Sequence, residues 1–268
     1  MFPRPLVLYT VIVMAVVLFA SLPTLLGAPS DIVAIATPIA QFVPAVASLV
    51  LILTLRLGKV TEVWALRPGG VGRLFAGIGL ALLAVVAVTV LQLVVVVFSG
   101  SSPWLGVTDP AVLVAIPVTA LVLFLPCLAE EVGWRGFGHH VLRGRSFWAT
   151  AATMAAIWSV WHLPSMLAYL RHGESSGREV IAVLLNLFFA GLGLSALRER
   201  TGSIWAAAVG HVLMNTLVVY AQSNLVRPPS ELGDLGFWLL QAAGWLGWLL
   251  VAVVLRPRRP AESSPSQP

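Results

Sequence analysis

The chain has 268 residues, 59% of them hydrophobic and only 10% charged, with a formal net charge of +5. An average soluble domain is roughly 25% charged, so this composition excludes a soluble globular protein and leaves no room for a separate soluble domain. The single cysteine, Cys127, excludes an internal disulfide and any multi-cysteine metal site.

The expected fold is all-α and polytopic. A membrane helix needs about 20 mostly apolar residues, and eight segments qualify in chain order: 6–26, 32–55, 74–98, 111–142, 147–170, 179–197, 202–224 and 236–255. The first is read as a helix, not a signal peptide, because its apolar run is long and no small-x-small cleavage site follows. Residues 1–110 therefore hold helices one to three, 111–224 a catalytic core of helices four to seven, and 225–255 the last helix. Residues 256–268 form a basic Pro/Ser-rich tail expected to be disordered. No internal repeat is visible.

The basic residues set the orientation. With the N-terminus inside, the inner segments hold Arg4, Arg56, Lys59, Arg67, Arg73, Arg135, Arg143, Arg145, Arg198, Arg200, Arg256, Arg258 and Arg259, and the outer loops only Arg171, Arg178 and Arg227. This bias places both termini in the cytoplasm. It also accounts for the positive charge without a nucleic-acid partner. The expected location is a bacterial cytoplasmic membrane, with the bilayer as solvent.

Ionisable groups at membrane depth cost about 2.5–3.5 kcal/mol each even on the mildest scale, so they mark function by default. Glu130, Glu131 and Arg135 interrupt the fourth segment, His162 the fifth and His211 the seventh. On a helix Glu131 and Arg135 share a face and can pair. Glu130 lies about 100° round from Glu131 and is left available as a base. Trp158, one turn before His162, can wall one side of the imidazole, and Pro164 can kink that helix and free a carbonyl. His211 and Asn215 share a face one turn apart. Each group has a bland reading as well: an ion pair near a helix end, a histidine bonded to a neighbouring helix, or interhelical hydrogen-bond glue.

Depth argues for the joint reading. If helix four runs on to residue 142, Glu130 is about 18 Å from its inner end, His162 about 22 Å and His211 about 15 Å from theirs. Ending that helix at Arg135 would leave Glu130 near the surface. A long helix four is therefore expected, with 134–142 as its cytoplasmic extension.

At these residues the chain resembles the CPBP family of intramembrane proteases, which includes CAAX prenyl endopeptidases and bacteriocin-processing or immunity proteins. The pattern is EExxxR, then Phe or Trp-xxx-His, then His-xxx-Asn or Asp. It is met in order by Glu130-Glu131…Arg135, Trp158…His162 and His211…Asn215. Gly136 and Gly202-Ser203-Ile204-Trp205 also fit. The resemblance covers roughly 111–224, and implies a proteolytic site open to the cytoplasm.

Amide hydrolysis needs an activated water, a stabilised oxyanion and a proton for the leaving amine. Glu130 is the candidate general base and later acid. His162 would orient the water, and His211 and Asn215 would donate to the oxyanion. Glu131 and Arg135 would hold the loop end and tune Glu130. A metal version stands beside this one. Glu130, His162 and His211 make a His₂-carboxylate set suited to zinc, although HExxH is absent. The residues leave a zinc-assisted and a metal-free site equally open.

Cys127, with no histidine near it in sequence, is expected to be an inert buried thiol. Ser159 and Ser203 lack a serine-hydrolase motif. His139, His140 and His172 fall at helix ends and are expected to be interfacial. The expected substrate is membrane-embedded or lipidated. The competing functions are a non-catalytic scaffold or immunity protein and a proton-coupled transporter.

Overall fold

The computed structural model describes residues 2–107 and 111–257, and only the backbone of Leu113. The expected tail beyond 257 lies outside the described residues. The described chain is all-helical: α1 (Arg4–Leu25), α2 (Asp31–Ala40), α3 (Val43–Leu55), the short α4 (Val60–Val63), α5 (Val71–Phe98), α6 (Val112–Glu131), α7 (Gly138–Val141), α8 (Phe147–Arg171), α9 (Gly177–Thr201), α10 (Ile204–Leu213) and α11 (Asp234–Leu255). Between α6 and α7 runs a π-helical stretch, Val132–Phe137, and two more, Met214–Val218 and Ala221–Leu225, carry α10 onward.

Seven helical segments are long and apolar enough to cross a membrane: Arg4–Leu25, Asp31–Leu55, Val71–Phe98, Val114–Val141, Gly177–Thr201, Ile204–Leu225 and Asp234–Leu255. The protein is a multi-pass integral membrane protein. The fifth expected segment, 147–170, forms α8, whose 25 residues span about 37 Å at 1.5 Å each. It differs in composition, not in length. Trp158, Ser159, Trp161 and His162 dilute its hydropathy, and α9 and α1 pack against it. A helix walled by protein can carry polar side chains that a lipid-facing one cannot.

The long fourth segment is continuous, as expected. Val114–Val141 is one membrane-length run, and the π-helical residues 132–137 shift the register where Glu131 and Arg135 lie. Such insertions are frequent at functional sites. Val114, Val118, Leu121, Val122 and Leu125 are exposed on this run, whereas every residue from Ala129 to His139 is buried. One end of the helix thus faces lipid and the other end the core.

Contacts fix which helix ends lie together. At one end Arg145 sits over the Phe2 ring and Arg256 over Trp148, so the described chain starts and finishes on the same face. Ser203 and Trp205 bond the carbonyls of Ala65 and Leu66 there. At the opposite end Arg178 pairs with Asp234 at 2.9 Å, and Leu105 N–H bonds the Leu225 carbonyl.

The core is aromatic. Tyr9 on α1 packs edge-on against Trp134 and tilted on Phe137, with ring centroids 5.5 and 4.9 Å apart, and Trp134 meets Trp161 at 5.8 Å. Gly133 makes this possible. A Cβ there would stand 2.3 Å from the Tyr9 hydroxyl and 2.6 Å from Pro44 Cβ, so any side chain would push α1 and α3 off the π-helical stretch.

The two-faced arrangement predicts opposite labelling. Thr61→Cys and Ser230→Cys should react with a membrane-impermeant maleimide from opposite sides of sealed vesicles. Wild-type Cys127, fully buried, should react from neither.

Candidate active site

Glu130 is buried at the centre of the bundle, 1% exposed. Its Oε2 accepts the indole N–H of Trp158 at 2.7 Å and that of Trp134 at 3.2 Å. Its Oε1 accepts the Gln41 amide at 3.0 Å. All three donors are neutral, so the carboxylate is solvated by the protein but not cancelled by a paired cation.

Glu131 is held differently. Its Oε1 accepts Arg135 Nη1 at 2.6 Å and lies 3.0 Å from His211 Nδ1. The expected i,i+4 pair with Arg135 forms inside the core, both side chains fully buried. The same oxygen also orients His211, which the sequence reading did not foresee: the Glu131–Arg135 pair supports the imidazole as well as the helix end. The Arg135 guanidinium lies 4.3 Å over the Trp158 ring, close enough for a cation–π contact. Its Nε and Nη2, and Glu131 Oε2, have no hydrogen-bond partner among the described residues.

Trp158 is the hub. Its N–H meets Glu130, its face meets Arg135, and its ring stands edge-on to both His162 (5.8 Å) and His211 (5.1 Å). Its carbonyl accepts His162 Nδ1–H at 3.0 Å. That bond fixes the tautomer, leaving Nε2 of a neutral His162 as an acceptor. The rings of Trp158 and Trp161 flank His162. A residue read from sequence as a wall is in fact joined to every ionisable member of the cluster except Glu131.

His211 and Asn215 converge on one place. Asn215 Nδ2 points to Cys127 Sγ at 3.6 Å, and His211 interacts electrostatically with the same thiol. Cys127 thus has a histidine beside it after all, contributed by a helix distant in sequence.

The three candidate metal ligands do not gather. Among the described residues no group of three or more His, Cys, Asp and Glu side chains is arranged to hold a metal ion. Glu130 Oε2 accepts two N–H groups and Oε1 one, while the Nδ1 atoms of His211 and His162 face Glu131 and the Trp158 carbonyl.

Several partners lay beyond the sequence reading. Gln41 and Trp134 carry no ionisable group, although Gln41 is a polar residue inside an apolar segment, a signal of the same kind. His139, expected at an interface, is buried. Its Nδ1 lies 2.8 Å from Glu199 and its Nε2 3.2 Å from Ser195. Arg198 joins Glu199 at 2.9 Å and donates to the Arg135 carbonyl at 3.1 Å. This second network ties α9 to the end of the π-helical stretch. His172 does stand at a bundle end, donating to the Thr24 carbonyl at 3.3 Å.

Residues 112–217 match the family described as "Type II CAAX prenyl endopeptidase Rce1-like", a peptidase family. The match contains all three motifs and bears out the resemblance they carry. No curated protein sequence matches the chain.

Breaking a buried ion pair from one side leaves an uncompensated charge, worth about 3–5 kcal/mol. Arg135→Met should therefore lower the thermal midpoint in detergent sharply. Arg135→Met combined with Glu131→Gln should lower it less than Arg135→Met alone. A double variant no more stable than that single one would show that the pair is not electrostatically coupled.

Proposed function

We propose that this chain, which carries a domain of the Rce1-like CAAX endopeptidase family over residues 112–217, is an intramembrane endopeptidase that cleaves a lipidated, transmembrane or otherwise apolar substrate with water activated by Glu130. The observation that carries the reading is the unpaired, triply hydrogen-bonded Glu130 beside two imidazoles.

The chemistry follows from which atoms can accept and which can donate. Oε1 of Glu130 keeps an acceptor position beyond its bond to Gln41, and His162 Nε2 is an acceptor because its Nδ1–H is held by Trp158. A water between them would be aligned by both and lose its proton to Glu130. The water oxygen attacks the scissile carbonyl carbon, and the carbonyl electrons move to oxygen. His211 and Asn215 receive that oxyanion in place of Cys127 Sγ. With Nδ1–H on Glu131, a donating Nε2–H makes His211 an imidazolium, which shares the Glu131 carboxylate with Arg135. Collapse of the intermediate breaks the C–N bond, and Glu130 returns its proton to the leaving amine.

The membrane-buried position of the site favours a substrate that is itself anchored in the bilayer. The basic end of the bundle gathers Arg4, Arg56, Lys59, Arg143, Arg145, Arg198 and Arg200, against Arg171, Arg178 and Arg227 at the other. By the positive-inside rule that end is cytoplasmic, as are both termini, and the membrane is the bacterial cytoplasmic membrane. Glu130 then lies in the cytoplasmic half of the bundle.

The test is cleavage of a pooled library of membrane-anchored and prenylated peptides by the full chain in proteoliposomes. Glu130→Gln keeps the shape but removes the base and should abolish cleavage. His211→Ala should lower kcat about 100- to 1,000-fold, the usual effect of losing one oxyanion donor. Cleavage that survives Glu130→Gln sinks the mechanism.

A further inference from the structure

Gln41 lies far outside residues 112–217 and in none of the three motifs. It sits where the second membrane segment breaks. Pro44 has no N–H to give, and its ring excludes the carbonyl four residues back, so α2 stops at Ala40 and α3 starts afresh at Val43. Pro44 then packs against the bare Cα of Gly133, where a Cβ would come within 2.6 Å of it. Gly133 is one turn past Glu130. The helix break is therefore docked beside the carboxylate, and Gln41 reaches it with Nε2 at 3.0 Å from Oε1.

The two carboxylate oxygens are not equivalent. Oε2 already accepts two indole N–H groups, from Trp158 and Trp134, which matches the two lone-pair sites of one oxygen. Oε1 accepts Gln41 and keeps one site. A proton taken from water must therefore go to Oε1, and Gln41 is the group that fixes which way its remaining lone pair points.

We propose that Gln41 is a positioning residue, which orients Oε1 of Glu130 toward the reacting water from a helix break outside the family-matched segment. The proposal rests on the reading of Glu130 as the base. Gln41 touches neither water nor substrate in this role; it acts through the carboxylate. A polar residue that merely satisfied the helix break would stabilise the fold and leave the chemistry alone.

Gln41→Met preserves length and volume but removes the donor. In the full chain, reconstituted with the cleaved peptides, kcat should fall about ten- to hundredfold, as for a lost hydrogen bond to a charged group. KM should stay within about twofold, and the thermal midpoint should move by no more than about 3–6 °C. Gln41→Asn, which keeps an amide, should recover part of kcat. Unchanged kcat with a lowered midpoint would make Gln41 structural and overturn the proposal. A second readout needs no turnover. In isotope-edited infrared spectra the Glu130 carboxylate bands, assigned by their loss in Glu130→Gln, should shift in Gln41→Met. If the wild type cleaves no peptide, the peptidase reading fails by itself, and the infrared shift alone decides whether Gln41 holds Oε1. Unshifted bands overturn the proposal.

Discussion

A carboxylate inside an apolar bundle must be met by donors or by a cation, and this structure meets its two adjacent carboxylates in opposite ways. Glu131 receives a guanidinium and an imidazole, whereas Glu130 receives two indoles and an amide. Neutral donors solvate a carboxylate without cancelling its charge. A charged partner fixes it, and a base must not be fixed in that way. Two chemically identical side chains, neighbours in sequence, thus acquire different capacities from their surroundings alone.

That division depends on Trp158. One indole supplies a donor to Glu130, a face to Arg135 and an edge to each imidazole, and its backbone carbonyl sets the His162 tautomer. The same side chain therefore couples Glu130, the ion pair and both histidines.

The backbone is adjusted to suit. The π-helical stretches at 132–137 and 214–218 lie at the two motifs that supply Arg135 and Asn215, and each shifts side chains relative to a regular helix. Gly133 lets α1 and α3 close on the first of them, bringing Tyr9, Pro44 and Gln41 to the cluster. The N-terminal helices are thus part of the site's wall, although the family match begins only at residue 112.

The sequence by itself determined the class, the membrane-length segments, the long fourth helix and the residues of the cluster. The reason is that a charge in an apolar run is conspicuous against its neighbours, and a helix makes i,i+4 spacing a statement about faces. The pairing of Glu131 with Arg135 was legible for that reason. Tertiary structure decided which imidazole meets which carboxylate. It also decided that Glu130 is solvated by indoles and Gln41, that Cys127 has a histidine beside it, and that His139 is buried against Glu199 and Ser195. All of these are contacts between helices, set by crossing geometry, glycine contacts and shifts of register within a helix. Hydropathy reads each segment against lipid, and it holds no information on how two helices are rotated toward one another.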